Sequence, residues 1–306
     1  MPKEVFNRHY PFLEHDALLT YEEITRLARI FVGLGAEKIR LTGGEPLMRR
    51  QLSRLVAMLA AIDGVKDFTL TTNGVLLADQ AAELRDAGLR RVTVSLDSLD
   101  PEVFAAMNDV GTDVETVLAG IEAAAAAGLG PIKINAVVQR GVNDHTLVDL
   151  ARRFHGSGHI VRFIEYMDVG TTNGWRLDQV VSAREIVSRI HAALPIEPVG
   201  ANYPGEVARR WRYVDGGGEI GVIASVSEPF CGACSRARLS PEGTLFTCLF
   251  AAQGHDLRAR LRGGADDAEL AELIGSIWRR REDRYSEIRS ASTAGTAKVE
   301  MSYIGG

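Results

Sequence analysis

Nothing in this 306-residue sequence approaches the run of about 20 apolar residues that crosses a bilayer. The opening Met1-Pro2-Lys3-Glu4-Val5-Phe6 lacks the apolar core of a secretory signal. Positive charge is not in excess: 35 basic against 40 acidic residues give a net charge of −5. That excludes the broad basic surface of a general nucleic-acid binder, though not a local basic pocket for a small anion. Cysteine is scarce, three residues in all, two of them in a C-x-x-C pair. Three make a poor disulfide framework and fit a cytosolic metal or cluster site better. Low-complexity sequence is missing apart from an alanine run at 123–127, which suits a helix. The expected compartment is the cytoplasm, with neither membrane nor nucleic acid as partner.

The chain does have the length and apolar content to bury a large core, as one barrel-sized domain or two smaller ones: 46% of its residues are hydrophobic and 25% charged. Thr20 and Glu23 have capping-box spacing, Ile24, Leu27, Ala28, Phe31 and Leu34 share a helical face, and Gly35 is placed to end the helix. A strand follows at 38–42. The alternation then repeats, with helices at 50–62, 78–87, 113–127 and 144–155 and strands at 67–71, 91–95, 131–138 and 160–165. Such alternation predicts a parallel α/β sheet, open or closed into a barrel, with five strands visible. After a helix at 182–194 the texture changes: Pro195, Pro198, Pro204 and Gly216-Gly217-Gly218 read as loops and turns. The expected division is a partial (β/α) barrel over 1–196 and a second functional region over 197–306, which carries every cysteine and helices near 255–262 and 267–281.

Polar residues collect where the strands end, which in a βα barrel is the active-site rim. Strand one runs into Gly43-Gly44-Glu45-Pro46, strand two into Thr71-Thr72-Asn73-Gly74, strand three into Ser95-Leu96-Asp97-Ser98 and strand five into Glu165-Tyr166-Met167. Each glycine pair also fits a tight turn. Their shared position favours a ligand site, where glycine lets backbone amides approach closely. Inside the strands stand cations that a sheet buried on both faces should not contain. Lys38 and Arg40 alternate on strand one, Lys133 and Asn135 on strand four, and Arg162 interrupts strand five. An internal salt bridge or snorkelling would explain one of them; several together call for a polyanion such as a nucleoside triphosphate.

Cys231-Gly232-Ala233-Cys234 is followed by thirteen residues and Cys248. Thiolates in this spacing suit zinc, with His255 available as a fourth ligand, or an iron–sulfur cluster; spacing alone leaves both open. Three cysteines without a fourth would leave one iron of a four-iron cluster open to substrate. Arg236 and Arg238, two apart, would share a face of extended backbone. They read either as a solvated pair or as a clamp for phosphate or a guanine base.

As an ensemble, Leu41-Thr42-Gly43-Gly44-Glu45-Pro46-Leu47, Thr71-Thr72-Asn73-Gly74, Val94-Ser95-Leu96-Asp97-Ser98-Leu99, Arg162-Phe163-Ile164-Glu165-Tyr166-Met167 and Cys231-Gly232-Ala233-Cys234-Ser235-Arg236-Ala237-Arg238-Leu239 resemble the GTP 3′,8-cyclase family. These are radical S-adenosylmethionine enzymes that open molybdenum cofactor biosynthesis. The likeness runs from Met1 to the final Gly305-Gly306, similar to the family's diglycine tail that reaches the active site. It implies an incomplete parallel (β/α) barrel of the radical S-adenosylmethionine type with a C-terminal iron–sulfur region, and a lyase converting GTP to (8S)-3′,8-cyclo-7,8-dihydroguanosine 5′-triphosphate.

By position, the resemblance assigns Gly44, Ser95 and Met167, with Asn73 as helper, to S-adenosylmethionine. Arg40, Thr71, Lys133, Arg236 and Arg238 go to GTP, with Lys38 and Arg162 as further candidates. Cys231, Cys234 and Cys248 go to a [4Fe–4S] cluster; no catalytic residue is assigned. An electron donor and a downstream cyclic pyranopterin monophosphate synthase are the implied partners, and a homodimer is among the assemblies expected.

The departure from the family lies at the start. The family places a C-x-x-x-C-x-x-C loop after its first barrel strand, its last cysteine normally followed by Met-Pro, and this sequence opens on Met1-Pro2. The 306 residues as written are therefore expected to lack the first strand, a substrate-binding arginine and the ligands of the radical-generating cluster, and not to cleave S-adenosylmethionine. An internal start is the favoured explanation, because real loss would expose an unpaired sheet edge. Beside the enzyme stand a GTP- and cluster-binding relative without radical chemistry, and a zinc-stabilised α/β protein.

Overall fold

A computed structural model of the chain describes residues 15–108, 111–171, 173–289 and 298–305. The first helix, α1 (Tyr21–Gly33), opens as its sequence requires. Thr20 Oγ1 accepts from the Glu23 amide at 3.1 Å and Glu23 Oε2 accepts from the Thr20 amide at 2.8 Å, so two orphan donors of the first turn are satisfied reciprocally.

Then follow β1 (Lys38–Leu41), α2 (Leu52–Ala60), β2 (Asp67–Thr72), α3 (Leu77–Asp86), β3 (Arg91–Ser95), α4 (Pro101–Asn108), α5 (Val114–Ala126), β4 (Lys133–Val138), α6 (Leu147–Phe154), β5 (Ile160–Glu165) and α7 (Ala183–Ala193). Helix α4 was not anticipated, although Asp100-Pro101-Glu102 carries its signal: Asp100 Oδ1 accepts from the amides of Glu102 and Val103 at 2.9 and 3.0 Å, and Pro101 stands in the first turn.

The count of five strands is corrected by three more: β6 (Ile196–Val199), β7 (Arg209–Tyr213) and β8 (Glu219–Ile223). One eight-stranded sheet results, in the order β1-β2-β3-β4-β5-β8-β7-β6. Strands β1 to β5 and β8 run parallel, β8 pairing Gly221 with Arg162, while β7 and β6 add an antiparallel edge. The turn residues misled because they lie in and between these strands. Pro198 sits in the edge strand β6, where a missing N–H is tolerated, and Gly216-Gly217-Gly218 turns the β7–β8 hairpin. The sheet is open, an incomplete barrel, and it continues across residue 196, where the two regions were expected to divide.

Strand alternation sorts the two faces of the sheet. Outward go Phe68, Leu70, Val92, Val94, Ile134, Ala136, Val161, Phe163, Ile220 and Val222, which pack under α2, α3, α5, α6 and α7 as the main core. Packing of α5 onto the end of β2 needs glycine on both sides. Gly74 has φ +83°, and a Cβ on Gly120 would lie 2.6 Å from the Gly74 carbonyl oxygen.

Beyond β8 the chain forms β9 (Arg238–Leu239), β10 (Thr244–Phe246) and β11 (His255–Asp256), a small antiparallel sheet, then α8 (Arg258–Arg262), α9 (Asp267–Arg279) and α10 (Tyr285–Ile288). The helix expected from 255 starts later, because His255 is paired with Leu245 and Asp256 Oδ1 accepts from the Ala259 amide at 3.0 Å. Leu245, Leu257, Leu270, Ile274 and Ile277 close a second core on Leu27 and Ile30 of α1, which fixes this region against the start of the sheet. Among the described residues no helix is long and apolar enough to cross a membrane.

Candidate active site

The inner face of β1 to β5 is polar. Lys38 and Arg40, Asp67, Thr69 and Thr71, Arg91, Thr93 and Ser95, Lys133 and Asn135, and Arg162 stand on it by alternation and register. Its one acid, Asp67, takes Lys38 Nζ at 2.9 Å and Arg91, whose Nε donates at 3.1 Å. Burial works to raise the Asp67 carboxyl, but the bonds from Arg91 and Lys38 hold it down at about 2.

Among the described residues no carboxylate bonds Arg40, Lys133 or Arg162, although Glu206 favours the charged forms of Lys133 and Arg162 from nearby. Loss of hydration in the cleft, then the nearness of Arg162, Arg91 and Lys38, lowers Lys133 to about 8. Burial, then Arg40, brings Arg162 down to about 9. Arg40 is lowered for the same reasons, with Arg236 among its neighbours. Arg162 Nε, Thr71 Oγ1 and Asn135 Oδ1 are buried without a hydrogen-bond partner among the described residues. Leaving such atoms unmet costs about 1–3 kcal/mol each, so the face offers a donor at Arg162, an acceptor at Asn135 and a hydroxyl at Thr71, beside its positive charge, for a ligand to meet. Tyr203, on the loop between β6 and β7, puts its ring 6.0 Å from Lys38 Nζ.

At the C-terminal ends of the strands, Glu45 cross-links β1 to β2. Its carboxylate accepts from Leu47 N at 3.0 Å, Thr72 Oγ1 at 2.8 Å and Asn73 N at 2.8 Å. Gly43, at φ +134°, would place a Cβ with nothing within 4 Å, so the Gly43-Gly44 backbone is open to an approaching group. Ser95 is exposed at the end of β3, and Met167 is half-buried beyond β5. Gly44, Asn73, Ser95 and Met167 thus lie at one end of one sheet. The Asn73 amide is engaged locally: its Oδ1 accepts from Val75 N at 3.0 Å. Asp97, also at this end, accepts from Val137 N at 2.8 Å and is pushed up by burial to about 6.

Cys231, Cys234 and Cys248 are half-buried free thiols on the loops flanking β9 and β10. Arg236 Nε and Nη2 donate to Cys234 Sγ at 3.3 and 3.2 Å, and the Phe250 amide donates to Cys248 Sγ at 3.4 Å. Burial alone would raise Cys234, but Arg236 brings it down to about 7; burial raises Cys248, which also feels Cys231. Donors aimed at the sulfurs suit thiolates that ligate iron. His255, the fourth ligand the zinc reading offered, is exposed in the β10–β11 ladder. By its chemistry, three thiolates with cationic and amide donors to sulfur, the donor set is one that would suit an iron–sulfur cluster.

The last described residue closes the site. Arg238 Nε donates to the Gly305 carbonyl at 3.1 Å, and a Cβ on Gly305 would lie 2.2 Å from Thr42 Cγ2, beside the Gly43-Gly44 loop. Gly306 lies outside the described residues.

Known families match the chain along nearly all of its length. Residues 6–154 match the Radical SAM superfamily model and residues 159–287 the Molybdenum Cofactor Synthesis C model. The GTP 3′,8-cyclase of Acidothermus cellulolyticus is 54% identical, over 100% of this chain and 91% of that protein. The GTP 3′,8-cyclase of Staphylococcus aureus is 45% identical, over 100% and 91% respectively. This chain belongs to the GTP 3′,8-cyclase family. Among solved structures, Streptococcus suis SuiB aligns over 57% of this chain and 40% of its own, at a TM-score of 0.48 and 16% identity.

Membership makes the chain a radical S-adenosylmethionine enzyme of molybdenum cofactor biosynthesis. Its sequence motifs meet in space as a cationic inner face, a glycine-lined rim and a thiolate loop. Three participants were missed. Asp67 and Arg91 occupy the same alternating positions that made Lys38 conspicuous, and that argument would have found them. Asp168 had no such signal, because its partners Tyr285, Arg289 and Lys298 lie 117, 121 and 130 residues away.

Proposed function

We propose that the cationic face receives the triphosphate and guanine of GTP, and that this chain serves the conversion of GTP to (8S)-3′,8-cyclo-7,8-dihydroguanosine 5′-triphosphate. Lys38, Arg40, Lys133, Arg162, Arg236 and Arg238 supply charge and donors, and Thr71 supplies a hydroxyl. The reading is carried by one observation: on β1 to β5 a crowd of cations shares a single acid, Asp67, which Lys38 and Arg91 already engage. Gly44, Asn73, Ser95 and Met167 form the proposed rim for S-adenosylmethionine, which with an iron–sulfur cluster supplies the superfamily's one-electron removal of a substrate hydrogen atom.

The chain's own residues bind and orient. Arg236 faces the nucleotide on one side and Cys234 on the other, so the guanine is brought beside the cluster held by Cys231, Cys234 and Cys248. The Gly305 tail covers the rim and limits water there. These cysteines are all that the 306 residues contain, so a second cluster needs thiolates from outside them. Cleavage of S-adenosylmethionine is not expected from the 306-residue chain alone. We further propose a cytoplasmic setting, a one-electron donor, a cyclic pyranopterin monophosphate synthase as consumer of the product, and homodimer assembly.

The test is anaerobic reconstitution of the chain, followed by metal analysis and equilibrium dialysis with GTP. About four irons per chain and saturable GTP binding are expected. Zinc in place of iron, with no GTP retained, would overturn the reading.

A further inference from the structure

Asp168 follows Met167 beyond β5, with its side chain 2% exposed. Arg289 Nε donates to Oδ1 at 2.7 Å, Lys298 Nζ to Oδ2 at 2.8 Å and to the Asp168 carbonyl at 2.9 Å, and the Tyr285 hydroxyl to Oδ2. The Arg289 and Lys298 side chains are themselves 4% and 1% exposed. Phe250 stacks on Tyr285 at 4.6 Å and lies under Arg289 at 4.9 Å, while its amide reaches Cys248 Sγ. One carboxylate therefore ties together the end of β5, the thiolate loop and the segment that leads to Gly305.

Downstream of Lys298 the segment is registered step by step. Val299 N donates to Ala251 O at 3.0 Å, and Glu300 Oε1 accepts from Thr171 N and Oγ1 at 2.8 and 2.9 Å. Gly170 makes room for Glu300, since a Cβ there would lie 2.1 Å from Glu300 Oε2. A helical turn, Met301–Ile304, then delivers Gly305 to Arg238 and Thr42.

We infer that Asp168 is a positioning residue, a latch that holds residues 298–305 across the cleft so that the Gly305 carbonyl fixes the Arg238 guanidinium. Charges this dry are stable only while paired, so the cluster is either assembled and closed or open and hydrated, with little between. A latch of this kind sets where the tail sits without touching the nucleotide. The inference rests on the proposed GTP site only for what the tail serves.

Hydrogen exchange on the full chain tests the latch directly. In Asp168→Asn and in Lys298→Met, the amides of Val299, Tyr303, Ile304 and Gly305 should exchange about tenfold faster or more, with the amides of β2 and β4 unchanged. Lys298→Met keeps the Asp168–Arg289 pair, so it avoids the loss of the central carboxylate that threatens folding of the asparagine variant. Wild-type protection of those amides in Lys298→Met overturns the latch. GTP dialysis tests the positioning role. Asp168→Asn should weaken GTP several-fold, yet add nothing in an Arg238→Ala background, because the effect passes through Arg238. Additive losses overturn that role. A parent chain that retained no GTP would refute the nucleotide site, while the exchange result would still decide the latch.

Discussion

Arg236 lies against Cys234, its Nε and Nη2 at 3.3 and 3.2 Å from the sulfur, with its guanidinium carbon 5.3 Å from the Phe230 ring centre. One planar cation thus lies against the thiolate loop, and in the proposed site it also serves the nucleotide face. Arg236→Gln should shift the reduction potential of the reconstituted cluster downward by tens of millivolts, since donors to sulfur and positive charge favour the reduced state. It should also weaken GTP about tenfold or more, as loss of a charged hydrogen-bond donor does. Redox titration and dialysis on the same preparation check both; an unmoved potential would remove Arg236 from the cluster.

The crowding at Lys133 has a pH signature. Loss of hydration and the surrounding cations place its pKa at about 8, so the ammonium is largely charged at pH 7 and largely neutral at pH 9.5. An anionic ligand needs the charged form, and GTP affinity should therefore fall as pH rises through about 8. Lys133→Arg, which keeps its charge, should remove the fall through about 8 and leave only the later part that Arg162, at about 9, contributes. A parent profile level from pH 7 to 9.5 would count against contact between Lys133 and the triphosphate.

Much of this was legible from residue pattern alone, for reasons that differ by element. Thr20 and Glu23 announced α1 because a capping box is a local device, closed within four residues. Lys38, Arg40 and Arg162 announced the inner face because charge inside a parallel strand violates a strong local expectation. Strands β6 to β8 were hidden because Pro198 and the glycine run at 216–218 look the same in a hairpin at a sheet edge as in a loop. Asp168 was hidden for a deeper reason: its environment is made by residues more than a hundred positions away.

Asp67 ties the same cations to stability. Its carboxyl sits at about 2, below the ordinary 3.8, because Arg91 and Lys38 hold the ionised form against the cost of burial. A depressed acid contributes stability above its unfolded pKa and loses it as pH falls through the folded value. Asp67→Asn should cost about 1–2 kcal/mol at pH 7, after allowance for the part exposure of the pair, and lower Tm by a few degrees. The gap between parent and variant should close as pH drops from about 4 to 2. Thermal melts across that range check the sign.

Gly221 offers a way to move Arg162 without changing it. A Cβ at Gly221 would lie 3.1 Å from Arg162 Cγ and 3.2 Å from Ala208 Cβ, so alanine there must push the arginine stem aside by a few tenths of an ångström. The strand itself should tolerate the change, since glycine inside a strand is unfavourable by about 0.5–1 kcal/mol relative to alanine, which offsets part of the crowding. Gly221→Ala is therefore expected to keep its Tm within a few degrees while weakening GTP about three- to tenfold. If the loss passes through Arg162, then Arg162→Ala should cost less affinity in the Gly221→Ala background than in the parent. Equal costs in the two backgrounds would mean that the glycine matters to the sheet and not to the cation it faces.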